Sequence, residues 1–165
     1  MGKRRTFLTV LVVFLLSGIV VATAVDGLAA SSAQTRVKTA YNKTLKKTIV
    51  VDSAGRTLYM FTEDVNGKAT QCTPQGPYGA ECPLIWPPLT SVGAPLAGSG
   101  IKASLLGVIN RRDGKRQVTY NRHPLYYFHG DYPNTPTGDK KPGDVRGQGF
   151  VGEWYVLSAK GAPIR

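Results

Sequence analysis

The sequence contains little of what catalytic or metal chemistry is usually built from. In 165 residues it has two cysteines, Cys72 and Cys82, and two histidines, His123 and His129. It carries no G-x-S-x-G nucleophile elbow and no H-E-x-x-H zinc string. "GDVRGQG" (143–149) is glycine-rich but leads into a strand pattern rather than a helix, which excludes a phosphate cradle of the usual kind. Acids are scarce as well: 10 Asp and Glu stand against 21 Lys and Arg, a net charge of +11. Helical periodicity is nearly missing after residue 30, where all eleven prolines fall. These absences point away from a hydrolase, a nucleotide enzyme or a helical bundle, and no cofactor is implied.

The chain does have an export pattern. Lys3, Arg4 and Arg5 precede an uncharged apolar run from Thr6 to Val25, with A-x-A-like sites at Ala22–Ala24 and Leu28–Ala30. Residues 1–30 therefore read either as a cleaved signal peptide or as an uncleaved membrane anchor, since about twenty apolar residues can span a bilayer. No cysteine near the cleavage region offers a lipid attachment point. Residues 31–46 are polar and basic, with Arg36, Lys38, Lys43 and Lys46 followed by Lys47, and read as a flexible tether. From residue 31 onward, 18 basic residues face 9 acidic ones. That balance favours an anionic membrane surface, a cell-wall polymer or another envelope protein as partner, and export argues against nucleic acid. In an exported chain the two cysteines read as one disulfide, Cys72–Cys82, closing "CTPQGPYGAEC".

Residues 47–160 read as an all-β domain. "KKTIVVD" and "GRTLYMF" flank the turn Asp52–Gly55, and "LLGVIN" and "KRQVTY" flank Asp113–Gly114, a strong hairpin signal. A second tight turn is expected at Asn121–Arg122 and a last strand at "EWYVLS" (153–158). Within this domain the chain repeats itself. Leu58, Tyr59, Phe61 and Asp64 correspond to Leu125, Tyr126, Phe128 and Asp131 at an offset of 67, and Trp86 and Leu89 correspond to Trp154 and Leu157 at 68. The expectation is two similar antiparallel units sharing one core, about 47–90 and 104–158, joined by the small-residue stretch 90–100. In each strand, Tyr and Phe fall on one face and the interleaved apolar residues on the other, which suits a strand covered on both sides.

These residues resemble a known family: bacterial secreted repeats or predicted lipoproteins with a Y-x-(F/W/Y)-x-x-D motif. The first copy is Tyr59-x-Phe61-x-x-Asp64 and the second Tyr126-x-Phe128-x-x-Asp131. "ECPLIWPPL", "DGKRQVTYNRHPLYYF" and "GDKKPGDVRGQG" resemble the family's neighbouring segments, so the resemblance covers about residues 47–158. It departs from the family in the wide cysteine spacing, in Arg122 at a turn position usually held by glycine, and in an insertion, "YPNTPTGD" (132–139). The insertion leaves two candidates, Asp131 and Asp139, for the second motif carboxylate. The resemblance implies an exported, envelope-associated β protein and no particular reaction.

Tyr59, Phe61, Asp64, Tyr126, Phe128, Asp131, Trp86 and Trp154 are thus the candidate functional residues, as core or as ligand contacts. The aspartates are expected to close turns and to receive the tyrosine hydroxyls. His123 and His129 read as surface or turn residues, and a calcium loop at Asp131, Asp139 and Asp144 is opposed by Lys140 and Lys141. A non-enzymatic binding or structural module is the first reading. Envelope redox or metal handling through His123, His129, Asp131 and the cysteines is the second, and a wall hydrolase with dispersed acids the third.

Overall fold

The computed structural model describes residues 34–64 and 67–165; the expected signal or anchor segment lies outside the described residues. Strands and turns dominate. They are β1 (Arg36–Asn42), β2 (Lys47–Asp52), β3 (Tyr59–Phe61), β4 (Leu96–Ala97), β5 (Leu106–Asn110), β6 (Arg116–Tyr120), β7 (His123–Pro124) and β8 (Trp154–Val156). One four-residue helix, α1 (Cys82–Ile85), follows the disulfide loop, with Pro83 in its first turn and Pro87–Pro88 just past its end. The strands form three small sheets, β2-β1-β4, β3-β8 and β5-β6-β7, as an all-β chain requires.

The expected turns hold. Asp52 Oδ1 accepts the backbone N–H of Ala54 and of Arg56, both at 2.9 Å, and Gly55 takes φ +84° to complete the turn. The Asp113–Gly114 hairpin joins β5 to β6 in the register Leu106↔Tyr120 to Asn110↔Arg116. Asn121 (φ +48°) and Arg122 (φ +68°) make the second tight turn; the left-handed conformation suits Asn and is imposed on Arg.

The tether reading is corrected for residues 36–42. Arg36–Asn42 is a strand, paired antiparallel to β2 from Val37↔Asp52 to Asn42↔Lys47 and parallel to β4 at Arg36↔Leu96 and Val37↔Ala97. Apolar patterning does not mark it because backbone pairing on both edges supplies most of its hold, and within it only Val37 and Asn42 are buried. Lys43 and Lys46, which belonged to the expected tether, are instead displayed with Lys47 on the β1–β2 turn.

β3 lies between two apolar clusters, as its two-faced pattern predicts. Tyr59 and Phe61 join Trp86, Tyr126, Phe128 and Trp154 on one side. Leu58 and Met60 join Val118, Tyr120, Leu125 and Leu157 on the other. Each fully buried leucine contributes roughly 1.5–3 kcal/mol over exposure. Single bridges tie the sheets to the segments between them, among them Tyr59↔Tyr126, Pro88↔Tyr126 and Thr90↔Gln117.

Candidate functional site

The motif residues meet where β3 touches the stretch after β7. Tyr59 and Tyr126 exchange both backbone hydrogen bonds, each N–H donating to the other's carbonyl at 2.9 Å. Their side chains then reach past each other. The Tyr126 hydroxyl donates to Asp64 Oδ2 at 2.8 Å, and the Tyr59 hydroxyl donates to Asp139 Oδ2 at 2.8 Å. The remaining oxygen of each carboxylate accepts a backbone N–H seven residues further on: Gln71 N–H to Asp64 Oδ1 at 2.7 Å, and Arg146 N–H to Asp139 Oδ1 at 2.9 Å. Asp64 and Asp139 therefore each close a loop and receive a tyrosine hydroxyl.

Asp139, not Asp131, holds the second position. The inserted residues form a side loop in which Asp131 N–H bonds to Pro136 O and Gly130 bridges Thr137, so the chain returns to the core only at Asp139, whose N–H donates to Phe128 O at 3.0 Å. Gly138 closes this loop against His129; a Cβ there would lie 1.8 Å from the His129 carbonyl oxygen. Asp131 is exposed and pairs with Lys140, which holds its carboxyl below the ordinary range.

The rings form one continuous stack. Trp86 and Trp154 lie face to face at 3.8 Å and 3°. Phe61 stacks on Trp154 at 4.2 Å, and Phe128 lies against Trp86 at 4.3 Å. Tyr59 meets Trp86 edge-on at 5.4 Å, as Tyr126 meets Trp154 at 5.2 Å. Gly147 lets the chain cross this stack, since a Cβ there would lie 2.6 Å from Trp86 Cη2.

Burial sets the electrostatics. The Asp64 carboxyl is pushed up to about 7 by desolvation, against the opposing pull of the Gln71 N–H, the Tyr126 hydroxyl and Arg111. Asp139 is raised in the same direction by burial. Both motif tyrosines are held well above their ordinary value by burial and by the facing carboxylates, so the phenols stay protonated and donate. A raised carboxyl can signal general acid–base chemistry. Here both oxygens of each aspartate are already bonded within the core, and the arrangement favours a scaffold.

Arg111 is a structural residue that sequence reading misses. It is buried; its guanidinium donates to Gln117 Oε1 (2.7 Å), Thr70 Oγ1 (3.2 Å) and Cys72 O (2.9 Å), and it pairs with Asp113. It thereby ties the cysteine loop to the β5–β6 hairpin, and only its position beside the Asp-Gly turn gave a hint. Ser99–Lys102 spells Ser-x-x-Lys but falls in an exposed turn, not on a helix.

Cys72 and Cys82 are bonded to each other, with Cα atoms 5.3 Å apart. His123 is half-buried, and desolvation lowers its pKa; His129 is exposed. Among the described residues no three of His, Cys, Asp and Glu are placed to hold a metal together. Asp144, a member of the imagined calcium loop, accepts the backbone N–H of Lys140 and of Lys141 instead.

With this geometry in view, comparison with known proteins adds one finding. Residues 107–158 match a family described as a secreted repeat of unknown function. The resemblance to a secreted repeat family is thus shown over residues 107–158, and the family's description supports export. The expected first copy, about 47–90, lies outside the matched stretch of this secreted repeat. No curated protein and no solved structure matches the chain.

Proposed function

We propose that this chain is an exported, non-enzymatic β module held at the cell envelope, with its motif spent on the core and a lysine-rich end turned toward an anionic surface. The reciprocal bonding of Tyr59 with Asp139 and of Tyr126 with Asp64 carries this reading, because it occupies all four oxygens of the motif carboxylates. The domain is a duplication of one unit, about 47–90 and 104–158. The sequence offsets and the paired seven-residue loops at Asp64 and Asp139 support that view. The Thr6–Val25 run serves as the export signal or the anchor.

The lysine-rich end follows from one side-chain bond. Asn42 Nδ2 donates to Gly143 O at 2.8 Å, which draws the β1–β2 turn, with exposed Lys43, Lys46 and Lys47, beside the loop bearing exposed Lys140 and Lys141. A fixed cluster of ammonium groups favours phosphate-rich head groups or wall polymers through screened Coulomb attraction. The test is binding of residues 31–165 to anionic vesicles and to isolated wall. Binding is expected to fall steeply between 0.1 and 1 M salt and on neutralising Lys43, Lys46 and Lys47. Attachment indifferent to both salt and these lysines would contradict the proposal.

A further inference from the structure

Two clefts open beside the lysine-rich end, on either side of one side-chain pair. The smaller, about 100 Å³, is lined by Lys140, Lys141 and His129 among others. The larger, about 310 Å³, is lined by Arg36, Ser53 and Thr90 among others. Arg56 and Tyr127 line both, so the clefts adjoin along that pair. Cations exceed acids in them: Arg36, Arg56, Lys140 and Lys141 stand against Asp52 and Asp139.

The two acids are spent on the protein itself. Asp52 is buried, and its carboxylate accepts the backbone N–H groups of Ala54 and Arg56, the Arg56 Nε–H and the Tyr127 hydroxyl. Asp139 uses its oxygens on the Tyr59 hydroxyl and the Arg146 N–H. The cation paired with Asp52 stays outside: the Arg56 side chain is 56% exposed, against 6% for the aspartate. Its guanidinium is also fixed. Nε donates to Asp52 at 2.8 Å, Nη2 donates to the Tyr127 hydroxyl at 3.1 Å, and Cζ lies 4.4 Å from the centre of the Tyr127 ring. Nη1 has no acceptor among the described residues. A guanidinium held on two sides, with one amino group left over, meets an oxyanion at little cost in side-chain entropy.

The cations are spread along a track. β1 begins at Arg36 in the larger cleft and ends at Asn42, whose bond to Gly143 sets Lys43, Lys46 and Lys47 beside the loop of Lys140 and Lys141. At the rise of an extended strand, seven residues separate these ends by about 20 Å. One lipid head group does not reach both ends, and a flat bilayer does not enter the recesses between them. A flexible charged chain does both.

We infer that the two clefts and the lysine-rich end form one groove for a linear polyanion of the cell wall, a polymer with a phosphodiester repeat. This rests on the reading of the lysine-rich end as an anion-binding surface, and it commits that surface to a polymer instead of a membrane. The lysines act as point charges, whereas Arg56 and Arg36 offer forked N–H donors that match phosphate oxygens. Individually weak contacts along one chain then act together as a multivalent attachment.

Residues 32–165 form one compact unit, so the test uses residues 31–165. Two probes present the same glycerol phosphodiester in different shapes: a soluble poly(glycerol phosphate) chain longer than the track, and phosphatidylglycerol vesicles. In calorimetric titration at low salt, Arg36→Gln and Arg56→Gln are each expected to weaken chain binding about threefold or more and to leave vesicle binding unchanged. Arg36→Gln does not touch the Asp52 network, so it keeps the test intact should Arg56→Gln lower the thermal unfolding temperature. Neutralising Lys43, Lys46 and Lys47 is expected to weaken binding of both probes. Chain binding indifferent to Arg36→Gln, equal loss of chain and vesicle binding in the arginine variants, or vesicle binding without chain binding would overturn the groove and leave the lysine-rich end standing. Failure of the unaltered protein to bind either probe would overturn both.

Discussion

The Tyr126–Asp64 and Tyr59–Asp139 contacts are alike in length and in the loops they close, and unlike in cover. Asp64 is 7% exposed and lies within electrostatic reach of a buried arginine, Arg111, and the loop it closes leads directly into the disulfide loop 72–82. Asp139 is half-buried and lies near an exposed arginine, Arg146, and no disulfide adjoins the loop it closes. Hydrogen bonding sets the geometry of each contact, but the solvent left around it sets its energy and its response to pH.

The largest effects are expected where the two contacts share support. Trp86→Ala and Trp154→Ala each remove half of the stacked pair and should each cost about 3–5 kcal/mol in denaturant unfolding. A loss below about 1 kcal/mol for one of them would break the equivalence of the two sides.

The difference in cover should next appear in pH dependence. The Asp64 carboxyl titrates near 7 in the folded chain against an ordinary value of 3.8. Between about 4 and about 7 the folded chain retains a proton that the unfolded chain has lost, so stability should fall as pH rises through that window and level off above it. Asp64→Asn removes the titrating group and should flatten this decline in melting temperature. Asp139→Asn should alter it less, because Asp139 is less buried. A decline unchanged by Asp64→Asn would place its origin elsewhere.

Opening the disulfide loop that follows Gln71 sharpens the comparison further. Replacing both cysteines by serine should cost about 2–3 kcal/mol on loop-entropy grounds. It should speed hydrogen exchange at the Gln71 N–H and leave the Arg146 N–H unchanged. Truncations come last. At pH 5, Asp64→Ala should cost about 2–3 kcal/mol and Asp139→Ala about 1–2, since each leaves a hydroxyl and an N–H without its acceptor and the drier site suffers more. Asp131→Ala should stay within about 0.5 kcal/mol.

Much of this was legible in the chain. Tyr59 and Phe61 alternate with Leu58 and Met60, which announced a strand covered on both faces, and Asp113–Gly114 and Asn121–Arg122 announced their turns through backbone chemistry. The partners of the tyrosines were less legible. The sequence did not say which aspartate serves which tyrosine; the Tyr59↔Tyr126 bridge sets the two segments side by side, so that each tyrosine reaches the carboxylate of the other segment. The insertion 132–139 hid Asp139 because a loop pinched at its base adds residues without moving its ends. β1 was missed because backbone pairing carries no side-chain signature, and Arg111 because a buried guanidinium is recognised only once its acceptors surround it.

The most direct test of the account is a set of double-mutant cycles on Tyr59, Tyr126, Asp64, Asp139 and Asp131, using Tyr→Phe and Asp→Asn. The account predicts coupling of about 0.5–3 kcal/mol for Tyr126 with Asp64 and for Tyr59 with Asp139. It predicts near-additivity for Tyr59 with Asp64 and for Tyr126 with Asp131. Coupling within the sequence-local pairs, with none across the exchanged pairs, would contradict it.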